Sequence, residues 1–175
     1  MKLKALIASA TTALMTACGS VDVDHYAKET PKLELSSFFT GTIDAWGIFQ
    51  KRNGEVARRF HVEILTEWKS PDEGILDEHF DWSDGEKQRR VWKLKAVGPH
   101  RYIGRADDVD GEAIGEIYGN ALRWRYTLNV PFRGSTIGLN FDDWMILIDD
   151  KVMLNRAVFS KWGIRMGEVT LSFSK

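Results

Sequence analysis

Cys18 is the only cysteine in the chain of 175 residues, and its setting points to acylation of the thiol. Met1-Lys2-Leu3-Lys4 precedes an apolar run from Ala5 to Leu14, and the small residues Thr16 and Ala17 stand before the cysteine. A basic start, a short hydrophobic core and small residues at a cut form the three parts of an export signal. Met15-Thr16-Ala17-Cys18 has the pattern of a lipobox, in which the thiol takes a diacylglyceryl group and the cysteine becomes the new N-terminus. The apolar run is far short of the roughly 20 residues that cross a bilayer core. A lone cysteine can form no internal disulfide, and acylation accounts for it in an exported chain. The expected products are a leader over residues 1–17, a lipidated Cys18 and a tether or lead-in to residue 40, followed by one domain over residues 41–175. Gly19, where retention at the inner membrane would place Asp, directs the protein to the outer membrane on its periplasmic face.

The other residues with chemical potential are charges interleaved with apolar side chains. Glu86, Gln88 and Arg90 alternate in phase with Trp92 and Leu94, whereas Lys87, Arg89, Lys93 and Lys95 fall in the opposite phase. Asp143 is in phase with Leu139, Phe141, Met145 and Leu147, and Arg156 with Val152, Leu154 and Val158. An unpaired charge facing a core costs several kcal/mol, so each must pair, meet water or face a ligand. Two readings follow. In one, Arg90 or Arg156 closes a structural ion pair with Asp143 or Glu86. In the other, one arginine anchors the carboxylate of a fatty-acid-like ligand through two parallel hydrogen bonds, with Phe60, Trp92, Trp124 and Tyr126 lining the cavity. Asp143 is also the one candidate for a general acid or base.

The elements that would hold these residues are strands. Asn53-Gly54, Asp84-Gly85, Gly119-Asn120 and Arg133-Gly134 supply the positive φ angles of tight hairpins. They and looser breaks divide residues 41–174 into ten runs. Period-two alternation marks Phe60, Val62 and Ile64 as one face, Leu122, Trp124, Tyr126, Leu128 and Val130 as another, and Val169, Leu171 and Phe173 as a third. Ten strands joined by short hairpins predict an all-β, up-and-down antiparallel barrel of the lipocalin or calycin kind. The alternative is a β-sandwich.

Composition excludes several classes. Basic and acidic residues number 24 and 25, and two of the basic ones, Lys2 and Lys4, belong to the leader. No patch of the kind that binds nucleic acid is present. Asp107-Asp108-Val109-Asp110-Gly111 resembles a calcium loop only loosely, since Ala106 stands where the first ligand belongs. The histidines His25, His61, His79 and His100 form no metal motif. Without a nucleophile elbow or a Gly-rich phosphate loop, no metal and no cofactor is expected, and binding is favoured over catalysis.

Several stretches together resemble a known family: Asp84-Gly85-Glu86-Lys87-Gln88-Arg89-Arg90-Val91-Trp92, Gly104-Arg105-Ala106-Asp107-Asp108-Val109, Gly119-Asn120-Ala121-Leu122-Arg123-Trp124-Arg125-Tyr126, Asp142-Asp143-Trp144-Met145, Leu154-Asn155-Arg156-Ala157 and Gly167-Glu168-Val169-Thr170-Leu171. The sequence is similar to bacterial lipoproteins that share domain of unknown function 3833. The resemblance implies a lipocalin-like barrel and brings no activity and no catalytic residue with it. The expected function is a lipid-anchored envelope protein that binds or carries a lipid-like ligand. An enzyme acting on a hydrophobic metabolite, or an interaction scaffold, are the alternatives.

Overall fold

The computed structural model describes residues 20–175; the leader and Cys18 lie outside the described residues. Ten antiparallel strands close into a barrel: β1 (Thr42–Lys51), β2 (Val56–Ser70), β3 (Glu73–Trp82), β4 (Lys87–Gly98), β5 (Arg101–Arg105), β6 (Val109–Tyr118), β7 (Ala121–Phe132), β8 (Ser135–Leu147), β9 (Val152–Lys161) and β10 (Ile164–Ser174). Each strand pairs with its sequence neighbours, and β10 returns to β1. Closure leaves no unpaired edge for another chain to extend.

The hairpins form where the local sequence supplies positive φ. Gly54 and Gly85 take it, as do the Arg133–Gly134 and Trp162–Gly163 pairs. All of these turns lie at one end of the barrel, with the loop between β5 and β6. Loops β2–β3, β4–β5, β6–β7 and β8–β9 lie at the other end, where the lead-in also arrives.

Inward faces follow the alternation on most strands. On β9 they do not. Met153, Asn155, Ala157 and Phe159 are buried there, and Leu154 and Arg156 are exposed. Both faces of β9 carry three apolar residues and two polar ones, so its own pattern is nearly neutral. Its partner decides: Met153, Ala157 and Asn155 lie opposite the inward Phe173, Val169 and Leu171 of β10. Burying the other face would set apolar side chains beside the polar face of β10, because a shift of one residue turns every side chain over.

The segment expected as a tether or lead-in contains two short structured pieces. A 3₁₀ turn (Val23–Tyr26) packs on β6 and β7. The short helix α1 (Leu35–Phe38) then closes the far end of the barrel, with Leu33, Leu35, Phe38 and Phe39 each no more than 4% exposed. Burying such side chains contributes roughly 1.5–3 kcal/mol apiece, enough to hold the plug. Trp68 Nε1 donates to the Phe39 carbonyl at 2.6 Å and Lys175 Nζ to that of Ser37 at 2.7 Å, which ties the plug to β2 and to the chain end.

Gly119 is where the lead-in meets the wall. Its φ is +54°, the Leu33 N–H donates to its carbonyl at 2.8 Å, and a Cβ would collide with the Tyr26 carbonyl. Gly119→Ala is therefore expected to cost about 1–3 kcal/mol of strain and to loosen residues 20–33. Limited proteolysis checks this: cleavage before residue 33 rises while the barrel stays intact. Unchanged cleavage would mean that the lead-in docks without this contact.

Candidate functional site

A barrel of about eight strands is just wide enough for side chains to fill it, and diameter grows with strand number. Ten strands leave space. The interior holds a cavity of about 960 Å³, near the upper end of the ~300–1,000 Å³ usual for small-molecule sites. The plug forms its floor through Leu35 and Phe39, and the hairpin end with Arg58, Trp82, Asn129 and Pro131 forms its mouth.

Most of the wall is apolar. Phe60, Trp92, Trp124 and Tyr126 all face this space, as do Phe49, Leu139 and Val169. Trp92 meets Trp124 and Tyr126 edge to face at 5.7 and 5.4 Å, and Tyr126 stacks on Phe141 at 5.1 Å. Trp124 fits because Gly104 on β5 and Gly115 on β6 leave a slot; a Cβ on either would strike the indole.

The buried charged groups of the wall form one cluster, drawn from β3, β4, β8 and the β5–β6 loop, with Tyr126 of β7 beside it. Arg90 Nε donates to both Asp108 oxygens at 3.1 and 2.9 Å, Nη2 lies 2.9 Å from Asp108 Oδ2, and Nη1 stands 3.7 Å from Glu78 Oε2. The Arg90 side chain is 11% exposed and that of Glu78 14%. Asp143, 7% exposed, accepts from the Tyr126 hydroxyl through Oδ2 at 3.4 Å, a weak bond. Its Oδ1 and Glu78 Oε2 are buried with no hydrogen-bond partner among the described residues.

Burial dominates the electrostatics. It pushes the Asp143 carboxyl up to about 8 against the lowering effects of Tyr126 and Arg90, and Asp142 and Glu78 add to the rise. Burial likewise lifts Glu78 to about 7, although Arg90 opposes it. Tyr126 is raised well above its ordinary value, by burial first and by the Asp143 charge second. At neutral pH Asp143 thus holds a proton and Glu78 shares one with solvent.

Of the residues singled out in the sequence, Phe60, Arg90, Trp92, Trp124, Tyr126 and Asp143 meet around one cavity. Arg156 does not. It lies on the outer surface with Nε and Nη2 at 2.9 and 2.6 Å from Glu168 Oε2, because β9 buries its other face. Glu86 sits at the mouth and accepts from Arg58 at 2.8 Å, not from Arg90. Glu78 and Asp108, the partners Arg90 does have, are not among the expected ones. Glu78 alternates in phase with Leu76, Phe80 and Trp82, a signal that marks it as inward. Asp108 reads as a solvated turn and gives no such signal. Among the described residues, the cavity wall contains no Ser, Thr, Cys, His or Lys. No group of three His, Cys, Asp or Glu among them could hold a metal ion.

Residues 12–175 match the model of a protein family described as "Protein of unknown function (DUF3833)". No curated protein matches. Among solved structures, the S-type phycobiliprotein lyase CPES from Guillardia theta is similar at 8% identity and a TM-score of 0.54, covering 78% of this chain and 86% of its own. A de novo designed fluorescence-activating β-barrel is similar at 12% identity and a TM-score of 0.46, with 82% and 98% covered. The redesigned barrel mFAP1, bound to DFHBI, shows 10% identity and a TM-score of 0.46, with 82% and 100% covered. At these identities the likeness to the lyase is one of fold.

Proposed function

The chain belongs to this family of proteins of unknown function, and we propose that it binds or carries one lipid-like molecule inside its barrel while anchored to the outer membrane through Cys18. One observation carries the binding part: a cavity of about 960 Å³, floored by a plug, walled by apolar and aromatic side chains, and holding one compact polar cluster. Such a site accepts an apolar body and orients one polar end. The mouth suits the arrival of an apolar chain. Phe132 and Trp162, on the tips of the neighbouring β7–β8 and β9–β10 hairpins, are 53% and 84% exposed. A solid barrel acting only as a scaffold would have no use for this interior.

Catalysis on a hydrophobic substrate is the second reading, favoured by the protonated Asp143 beside Tyr126. The wall offers no Ser, Thr, Cys, His or Lys among the described residues, so that reading rests on its carboxyls and on Tyr126. The anchoring part rests on the sequence around Cys18. Acyl chains contribute about 0.8 kcal/mol per buried methylene, and two or more hold a protein stably on a bilayer.

Native mass spectrometry of protein purified from membranes tests both parts. The expected spectrum carries an acyl mass that Cys18→Ala abolishes, together with a co-purifying amphiphile. Leu139→Trp, which puts bulk into the cavity from β8, is expected to weaken N-phenyl-1-naphthylamine binding roughly tenfold with an unchanged circular dichroism spectrum. A ligand-free mass together with undiminished dye binding in Leu139→Trp would remove the cavity from consideration.

A further inference from the structure

We infer that the cavity selects an amphiphile with a cationic, hydrogen-bond-donating head, a primary ammonium on an apolar tail, over a fatty acid. The inference rests on the cavity-binding reading above and adds the chemistry of the head. Its basis is what the polar cluster has left to offer. Arg90 is the one cation in the buried cluster: Nε and Nη2 go to Asp108, and Nη1 faces Glu78 Oε2 at 3.7 Å, too far for a hydrogen bond. A ligand carboxylate would have to displace Asp108 or take Nη1 beside the Glu78 carboxyl. Within the buried cluster the unfilled positions are carboxyl oxygens, which accept once their acids ionise. Asp143 Oδ1 and Glu78 Oε2 line the cavity without a hydrogen-bond partner among the described residues, and Asp143 is more than nine-tenths buried.

The charge balance has the same sign. Near pH 7, with Asp143 protonated, Asp108 balances Arg90 and Glu78 leaves an excess of up to one negative charge in the cluster. An ammonium reduces that excess, and a carboxylate increases it. In a cavity shielded from water this difference is felt far more strongly than at a surface. Arg58, Arg89, Glu86 and Asp107 also touch the cavity, but Arg58 is paired with Asp84 and Glu86, and Arg89 with Asp77. Arg58 Nε has no hydrogen-bond partner among the described residues, but the charges of both arginines are already met by acids.

The test is a head-group series of constant tail on the full chain freed of lipid: dodecylammonium, dodecanol and dodecanoate, each below its micelle-forming concentration, by calorimetry near pH 7. The expected order is ammonium tightest, then alcohol, then carboxylate, with roughly tenfold or more between the first and the last. Asp143→Asn and Glu78→Gln should each reduce the ammonium preference and leave dodecanol binding unchanged. Dodecanoate binding as tightly as dodecylammonium, or dodecylammonium no tighter than dodecanol, would overturn the inference and leave a lipid-binding barrel standing. If none of the three binds, the cavity-binding reading itself falls. The unaltered protein decides among these outcomes even if a variant fails to fold.

Discussion

Raising the pH from about 5 to about 9 is expected to destabilise the ligand-free protein, and Asp143→Asn to remove most of that loss. The sign follows from burial. In the unfolded chain Asp143 and Glu78 ionise near their ordinary values of 3.8 and 4.5, but in the barrel burial lifts them to about 8 and about 7. Between these limits the folded state binds more protons than the unfolded one, so stability falls as pH rises. The contribution is complete below about pH 4 and lost above about pH 8. The groups facing the pair are Arg90 from β4, Tyr126 from β7, Asp108 from the β5–β6 loop and Asp142 on β8, with Asp77 beside Glu78. Only Arg90 among them is cationic, and Asp108 already engages it. Outer acids such as Asp77 and Asp84, held low by Arg89 and Arg58, act at the acid end and leave this window alone.

Two buried carboxyls shifted this way contribute on the order of several kcal/mol, a fall in Tm of roughly 10 °C for a domain of this size. Thermal melts across the range measure it. Asp143→Asn should flatten the profile and exceed the unaltered protein in Tm at about pH 9. Parallel profiles for the two proteins would show that Asp143 is already ionised at neutral pH. An ammonium ligand stabilises the ionised pair and lowers its folded-state pKa, so it should shrink the loss.

The largest effect of a single substitution on folding is expected at Gly115. It lies directly opposite Trp124 across β6 and β7, and the indole crosses its Cα to reach Gly104 on β5. A side chain at either glycine would strike the ring, which is 5% exposed and packed edge to face on Trp92. Overpacking of this kind costs about 1–3 kcal/mol and more where backbone must move, so Gly115→Val should lower Tm by roughly 6–12 °C or prevent folding. Gly98→Ala is the control, because a Cβ there meets nothing within 4 Å, and its effect should stay within about 0.5 kcal/mol. A double-mutant cycle identifies the cause. With Trp124→Leu in place, Gly115→Ala should cost less than it does alone. Strict additivity would place the cost in the strand backbone and not in the slot.

Much of the architecture can be read directly from the chain. Asn53-Gly54 and Asp84-Gly85 set their turns because positive φ is a local property, decided by one or two residues. The inward set Leu122, Trp124, Tyr126, Leu128 and Val130 is legible because one phase of β7 is apolar and the other polar. Arg90 and Asp143 stand out as inward charges for the same reason. The polar partners are less accessible. Glu78 is visible in the alternation of β3, but nothing near Asp108 in sequence announces that it reaches Arg90, 18 residues away.

Strand count, antiparallel order and the placement of most cavity-facing aromatics follow from local patterns, because they depend on backbone preference and period-two alternation within each segment. Three features needed the closed barrel. Arg156 faces solvent, because β9 has two nearly equivalent faces and β10 selects between them. Residues 33–39 plug the barrel, because their apolar side chains find a bottom to fill only once the wall has closed. The cavity's polar end is an excess of buried carboxyls around an arginine that Asp108 engages, because pairing is set by which strands closure brings together. Local patterns record what each segment prefers, whereas charge balance inside a barrel is a property of the assembled wall.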